Sequence, residues 1–190
     1  MLQRLHYRRL LAVLLLCLPP GAYAGPAIYE VRNGEVRFSS EAPKELIKAS
    51  SRKLQGILDT EKMIFAFKVY IPSFMGFNSP LQRDHFNENY MESRNFPDAV
   101  FRGKIIESVD LGREGTYQVR AKGKLIVHGV EQERIIRVQM VVRNARFQVS
   151  STFPILLNDH NIKIPRIVDD KLSPEINVSV RATLEPQSRS

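Results

Sequence analysis

The chain has 190 residues, a formal net charge of +8, 43% hydrophobic residues and one cysteine, Cys17. That length can bury a real core in one domain, and a lone cysteine excludes a disulfide scaffold. Acids and bases are interleaved, with no block of about five or six like charges, which argues against a nucleic-acid-binding surface.

The first element in chain order is a targeting segment. Arg4, Arg8 and Arg9 precede an apolar run from Leu10 to Leu18, then Pro19-Pro20-Gly21 and Ala22-Tyr23-Ala24. This is the basic, apolar, small-residue order of a secretory signal, with cleavage expected after Ala24. The apolar run falls short of the roughly 20 residues a membrane-spanning helix needs. Leu14, Leu15 and Leu16 precede Cys17 where a lipoprotein site would carry small residues. Cleavage would remove three arginines, no acid and the only cysteine, lowering the net charge from +8 to +5. The expected organisation is a signal peptide over 1–24 and one domain over 25–190. The product is expected in the periplasm or otherwise exported, with no stable membrane insertion after cleavage.

The rest reads in period two. Gly34 to Ser40 sets Val36 and Phe38 on one face, and Leu46 to Leu58 is strand-like. The clearest run is Met63 to Ile71. Met63, Phe65, Phe67, Val69 and Ile71 fall on one face, and Ile64, Ala66, Lys68 and Tyr70 on the other. Such alternation predicts a strand with one buried face. Ala99–Val109, Tyr117–Val127, Ile136–Arg143, Phe147–Phe153 and Ile176–Leu184 continue the series. Asn33-Gly34, Asp59-Thr60, Gly112 to Gly115, His128-Gly129 and Asn144-Ala145 read as turns between strands. Short spacers favour antiparallel hairpins. About eight strands of this kind predict an all-β fold, an antiparallel up-and-down barrel, with a β-sandwich as the rival.

One stretch breaks the rhythm. Ser79 to Asn95 reads SPLQRDHFNENYMESRN. Phe86 and Tyr90 lie four apart and would share a helix face, and Pro97 helps end the segment. A short helix or ordered loop is expected here, lying across one end of the barrel as a lid.

Three blocks carry a resemblance. They are Val69–Phe77 (VYIPSFMGF), then His85–Ser93 (HFNENYMES) with Asn95–Gly103 (NFPDAVFRG), and Gly123–Val130 (GKLIVHGV). In this order they resemble the YceI-like family of exported proteins. The resemblance implies a lipocalin-like, eight-stranded antiparallel barrel in the periplasm, and some members bind a long isoprenoid chain inside it. The middle loop departs from the family pattern. Relatives carry an aspartate-histidine-leucine segment and paired phenylalanines where this chain reads DHFNENYMESRNFP. The lid is therefore open to being shaped for a different ligand.

The candidate ligand-binding residues follow. Met63, Phe65, Phe67, Phe101, Tyr117, Met140 and Phe147 point inward if the alternation holds. Phe74 and Phe77 lie near the rim, and Phe86 and Tyr90 on the lid. Inward small residues Ala121, Gly123 and Ser151 would leave space. An eight-stranded barrel is also narrow enough to be filled by its own side chains, and alternation alone favours that outcome. The resemblance favours a hollow interior.

Chemistry is poorly represented. His85, His128 and His160 lack metal-ligand spacing, so no metal or cofactor is expected, and they read as surface or turn histidines. No G-x-S-x-G elbow occurs, and the serine pairs sit in strand or turn surroundings. Asp169-Asp170 lies in a loop with no partner evident from sequence. The basic groups Lys44, Lys48, Arg52, Lys53 and Arg134, Arg137, Arg143, Arg146 read as solvated strand faces. The expected function is a periplasmic binding or carrier protein, not an enzyme, holding an apolar small molecule of isoprenoid or fatty acyl type. The alternative is a non-enzymatic stress or interaction protein with a packed barrel and no ligand. A homodimer stays open, and no nucleic-acid partner is expected.

Overall fold

The computed structural model describes residues 28–187. The signal-peptide reading of 1–24 lies outside the described residues. Eight strands close into an antiparallel barrel in sequence order. They are β1 (Ile28–Glu41), β2 (Leu46–Asp59), β3 (Ile64–Tyr70), β4 (Asp98–Ile105), β5 (Gly115–Val127), β6 (Val130–Arg143), β7 (Arg146–Leu156) and β8 (Glu175–Pro186). The expected barrel is therefore the observed fold, and the sandwich is not.

The alternation explains why the sheet closes. Phe65 and Val69 of β3 are buried while Ile64, Ala66, Lys68 and Tyr70 are exposed. On β6, Ile136, Met140 and Val142 are buried, and Arg137 and Arg143 face solvent. Shifting any strand by one residue would turn this apolar set outward, so burial pins the register. No described helix is long and apolar enough to cross a membrane.

Two tight hairpins have the expected turns. His128-Gly129 has φ values of 50° and 71°, and Asn144-Ala145 of 50° and 53°. Both central residues are left-handed, the geometry whose twist matches flanking strands. Asn33-Gly34 is different. It does not separate strands, because β1 continues through it with register shifts on both sides of Gly34. A β-bulge uses the same residue types as a turn, and here the chain bends without reversing.

The two ends of the barrel differ. At the floor, the Tyr29 and Phe147 ring centroids are 4.2 Å apart, and Leu184 is fully buried. At the other end, which we call the mouth, two long connections cross the opening. The β3–β4 connection carries helix α1 (Pro80–His85) and a π-helical turn, Phe86–Tyr90. The β7–β8 connection, here the strap, carries 3-10 turns at Leu157–His160 and Arg166–Val168.

Candidate functional site

The barrel encloses a cavity of about 280 Å³ whose walls come from all eight strands. It runs from Leu58 and Leu184 near the floor to Phe77, Phe86 and Leu172 at the mouth. Its volume is at the lower end of ordinary small-molecule sites.

The lid forms where the sequence placed it. The Ser79 hydroxyl caps α1 by accepting the Gln82 N–H at 3.1 Å, and Pro80 follows at the first helical position. A capping hydroxyl and an early proline are what a helix start needs. Glu45 on the β1–β2 turn accepts from Gln82 Nε2 at 2.9 Å and from Asn78 Nδ2 at 3.2 Å. Arg83 donates to the Phe74 carbonyl at 3.1 Å and the Pro72 carbonyl at 2.9 Å. Met75 and Ser50 exchange backbone hydrogen bonds of 2.8 and 2.9 Å. The lid is thus stitched to the rim of β2.

Its underside is aromatic. Phe86 stacks on Phe38 with ring centroids 5.4 Å apart, and lies 5.0 Å from Phe77 and 5.9 Å from Phe74. Deeper in the wall, Phe65 meets Phe101 at 4.9 Å. Tilted and stacked ring pairs at these distances attract one another beyond simple burial. Burial raises the pKa of the Tyr90 hydroxyl, which keeps this lid residue neutral.

Eight of the eleven candidate residues line the cavity: Phe65, Phe67, Phe74, Phe77, Phe86, Tyr90, Phe101 and Met140. Three do not. Met63 sits in the β2–β3 turn with φ of 54°, and the strand begins one residue later. It packs on the core from the floor side. Tyr117 also lies at the floor, its hydroxyl 3.0 Å and 2.9 Å from the Asp110 and Arg113 carbonyls. Phe147 is only 1% exposed and belongs to the floor packing with Tyr29. Ala121 and Ser151 line the cavity, as expected of small inward residues. Gly123 serves another purpose. It pairs with Gly103 across β4 and β5, where an added Cβ would come within 2.9 Å of the Gly103 Cα.

Sequence reasoning missed Phe38 as a roof residue, although its face was readable from Val36. It also missed the strap. Leu157, Ile162 and Leu172 close the cavity from above, but their spacing follows neither strand nor helix period.

The histidines divide. His85 is exposed on the lid. His160, read from sequence as a surface or turn residue, is completely buried, with Nδ1 3.1 Å from the Val130 carbonyl. Burial pushes its pKa below the ordinary histidine value, and nearby Arg134 acts in the same direction. His128 at the β5–β6 hairpin contacts the His160 carbonyl at 3.1 Å and Glu92 at 3.2 Å. Phe96 packs edge-on against it at 4.7 Å. Asp170 also has a partner, since Lys44 Nζ lies 2.5 Å from its carboxylate. That ion pair, beside the Lys44 N–H to Asp170 carbonyl bond of 2.9 Å, ties the strap to the β1–β2 turn. No group of three metal-ligating side chains converges among the described residues.

The sequence matches the YceI-like domain over residues 32–184. The chain belongs to the YceI-like family. Comparison with curated proteins gives no match. Among solved structures, it is similar to a polyisoprenoid binding domain from Saccharophagus degradans implicated in plant cell wall breakdown. The TM-score is 0.71 at 14% identity, covering 85% of this chain and 99% of that one. It is also similar to BcnA of Burkholderia cenocepacia, with TM-score 0.65, 15% identity, and coverage of 79% and 95%. The YceI protein of Campylobacter jejuni gives TM-score 0.57, 14% identity, and coverage of 75% and 86%. At such identities these likenesses concern the fold. The YceI-like blocks have a structural meaning here. Gly103 and Gly123 allow β4 and β5 to approach, and Gly129 leaves room for Phe96, whose ring an added Cβ would meet at 2.5 Å.

Proposed function

We propose that this YceI-like protein is a binding or carrier protein that holds a long apolar molecule, of isoprenoid or fatty acyl type, inside its barrel. The observation that carries the reading is the apolar cavity roofed by Phe38, Phe74, Phe77 and Phe86. A packed core would fill this space with its own side chains. Each 100 Å² of apolar ligand surface taken from water is worth about 2.5 kcal/mol. The polyisoprenoid-binding character of the Saccharophagus degradans domain supports the ligand class.

The role we propose is holding, without catalysis. The wall is made almost wholly of hydrocarbon and aromatic groups, and the Ser151 hydroxyl is engaged by the Arg137 carbonyl at 2.6 Å. The proposed setting is the periplasm, on the strength of the signal-like segment before Gly25.

Fluorescence titration with N-phenyl-1-naphthylamine tests the cavity directly. The protein should bind the probe saturably, and Ala99→Trp and Val138→Trp, which fill wall positions, should each reduce binding. Unchanged binding in both variants would place the probe elsewhere and remove the support for an internal site.

A further inference from the structure

Two seams in the barrel wall lie at the mouth, and they are closed differently. The β2–β3 ladder begins only at Leu54↔Val69. Above it, the lid segment supplies the backbone bridge between Ser50 and Met75, and the Ser51 and Ser73 hydroxyls meet at 2.6 Å. That seam is closed by a main-chain bridge and a serine hydroxyl pair.

The β6–β7 ladder runs only from Arg143↔Arg146 to Gln139↔Ser150. β6 stays paired with β5 and β7 with β8 along their full mouthward lengths. Past one further link, the Ser151 hydroxyl donating to the Arg137 carbonyl at 2.6 Å, the facing edges of 130–136 and 152–156 are unpaired. The strap covers this opening, and side chains hold it to β6. Gln132 Nε2 donates to the Asp159 carbonyl at 2.7 Å, Arg134 reaches the Asp159 carboxylate at 3.3 Å, and His160 Nδ1 meets the Val130 carbonyl at 3.1 Å. The cavity wall reaches the seam through Ile136, Ile155, Leu157 and Ile162, while Arg134 and Asp159 lie two residues along the chain from Ile136 and Leu157, outside that lining.

Arg134 is the cationic group there, and its Nε and the His160 Nε2 are both buried without a partner. Arg134 follows the inward phase of Ile136, two residues nearer the mouth, where polar residues replace the apolar wall. Its ion-pair contact with Asp159, at 3.3 Å, is longer than a strong charge-assisted bond. An apolar cavity cannot hydrate a charged head group, so an amphiphile must put its polar end where the wall is interrupted. The lid side offers aromatic rings, Gln82, whose amide already bonds Glu45 and the Asn78 N–H, and Arg83, whose donors already serve two backbone carbonyls.

We propose that the β6–β7 seam is the polar-end subsite of the cavity, and that it takes an acidic head group, a carboxylate or phosphate, on Arg134. The inference rests on the carrier reading and deepens it. The chain of the amphiphile lies in the barrel, and its head replaces Asp159 as the partner of Arg134. The planar guanidinium suits either oxyanion, since both accept from two of its N–H groups at once.

The test compares dodecanoate, dodecyl phosphate and dodecanol, three ligands with one chain, by displacement of N-phenyl-1-naphthylamine at pH 8. The native protein should bind both anions about tenfold more tightly than the alcohol. Arg134→Gln should erase that difference and leave dodecanol unchanged. Asp159→Asn, which removes the competing carboxylate, should widen it, an outcome that misfolding cannot produce. Loss of the preference in Arg83→Gln instead would move the head group to the lid. Equal affinity for all three ligands in the native protein overturns the proposal, as does an equal loss for all three in Arg134→Gln. Probe uptake with no anion preference leaves the carrier reading standing, whereas failure to take up the probe defeats both.

Discussion

Gly103 of β4 and Gly123 of β5 face each other across the ladder with no room for a side chain on either. A Cβ on Gly103 would lie 2.5 Å from the Gly123 Cα. Both neighbouring contacts are to backbone, which cannot swing aside. Gly123→Ala should therefore cost about 3 kcal/mol, the upper end of what overpacking typically costs. Urea denaturation measures it. A variant as stable as the parent would mean that the strands separate without penalty.

Asn144-Ala145 is the opposite case. Ala145 adopts φ of 53°, a conformation that costs an L-residue about 1–2 kcal/mol. Ala145→Gly should raise stability by about 1 kcal/mol, less the extra entropy of the unfolded glycine. A lower melting temperature in this variant would contradict the left-handed turn.

His160 makes stability depend on pH. Its folded pKa lies below the unfolded value of 6.5, chiefly because burial disfavours the charged ring. Below pH 6.5 the unfolded chain binds a proton that the folded protein does not. The stabilisation is thus complete above 6.5 and declines as pH falls from there toward the lower folded pKa. Denaturation curves between pH 7.5 and about 5.5 should show this decline, and His160→Gln should flatten it. Identical slopes in the two proteins would show that His160 is not the titrating group.

Phe67 and Phe147 separate cavity from core. Phe147→Ala removes a fully packed ring at the floor and should cost about 3–5 kcal/mol. Phe67 is only half-buried and borders empty space, so Phe67→Ala should cost less while weakening probe binding. Equal losses of stability, with binding unaffected, would turn the barrel into a filled one.

Much of this was readable from alternation, and its limit is physical. Period two tells which side of the sheet Phe65, Phe101 and Phe147 face. It does not tell how far along the barrel axis each lies. Phe65 and Phe101 became wall, whereas Phe147, Tyr117 and Met63 became floor. Turn residues were equally two-valued: Asn144-Ala145 reverses the chain, and Asn33-Gly34 merely bulges it. The lid was legible because Ser79, Pro80, Phe86 and Tyr90 carry local helical signals. The strap was not, because Leu157, Ile162 and Leu172 reach the cavity from an irregular path. Arg134 was visible only as one of several strand arginines. Its distinction comes from the early end of the β6–β7 ladder, a long-range property of pairing.

The central claim is that the barrel carries an apolar molecule. Native mass spectrometry of the protein purified from its own host, followed by lipid extraction, tests it most directly. The account predicts a bound species of long apolar chain, released on denaturation and absent when the wall is filled by Val138→Trp. An empty barrel from that host, which then takes up neither isoprenoids nor fatty acids, would contradict it.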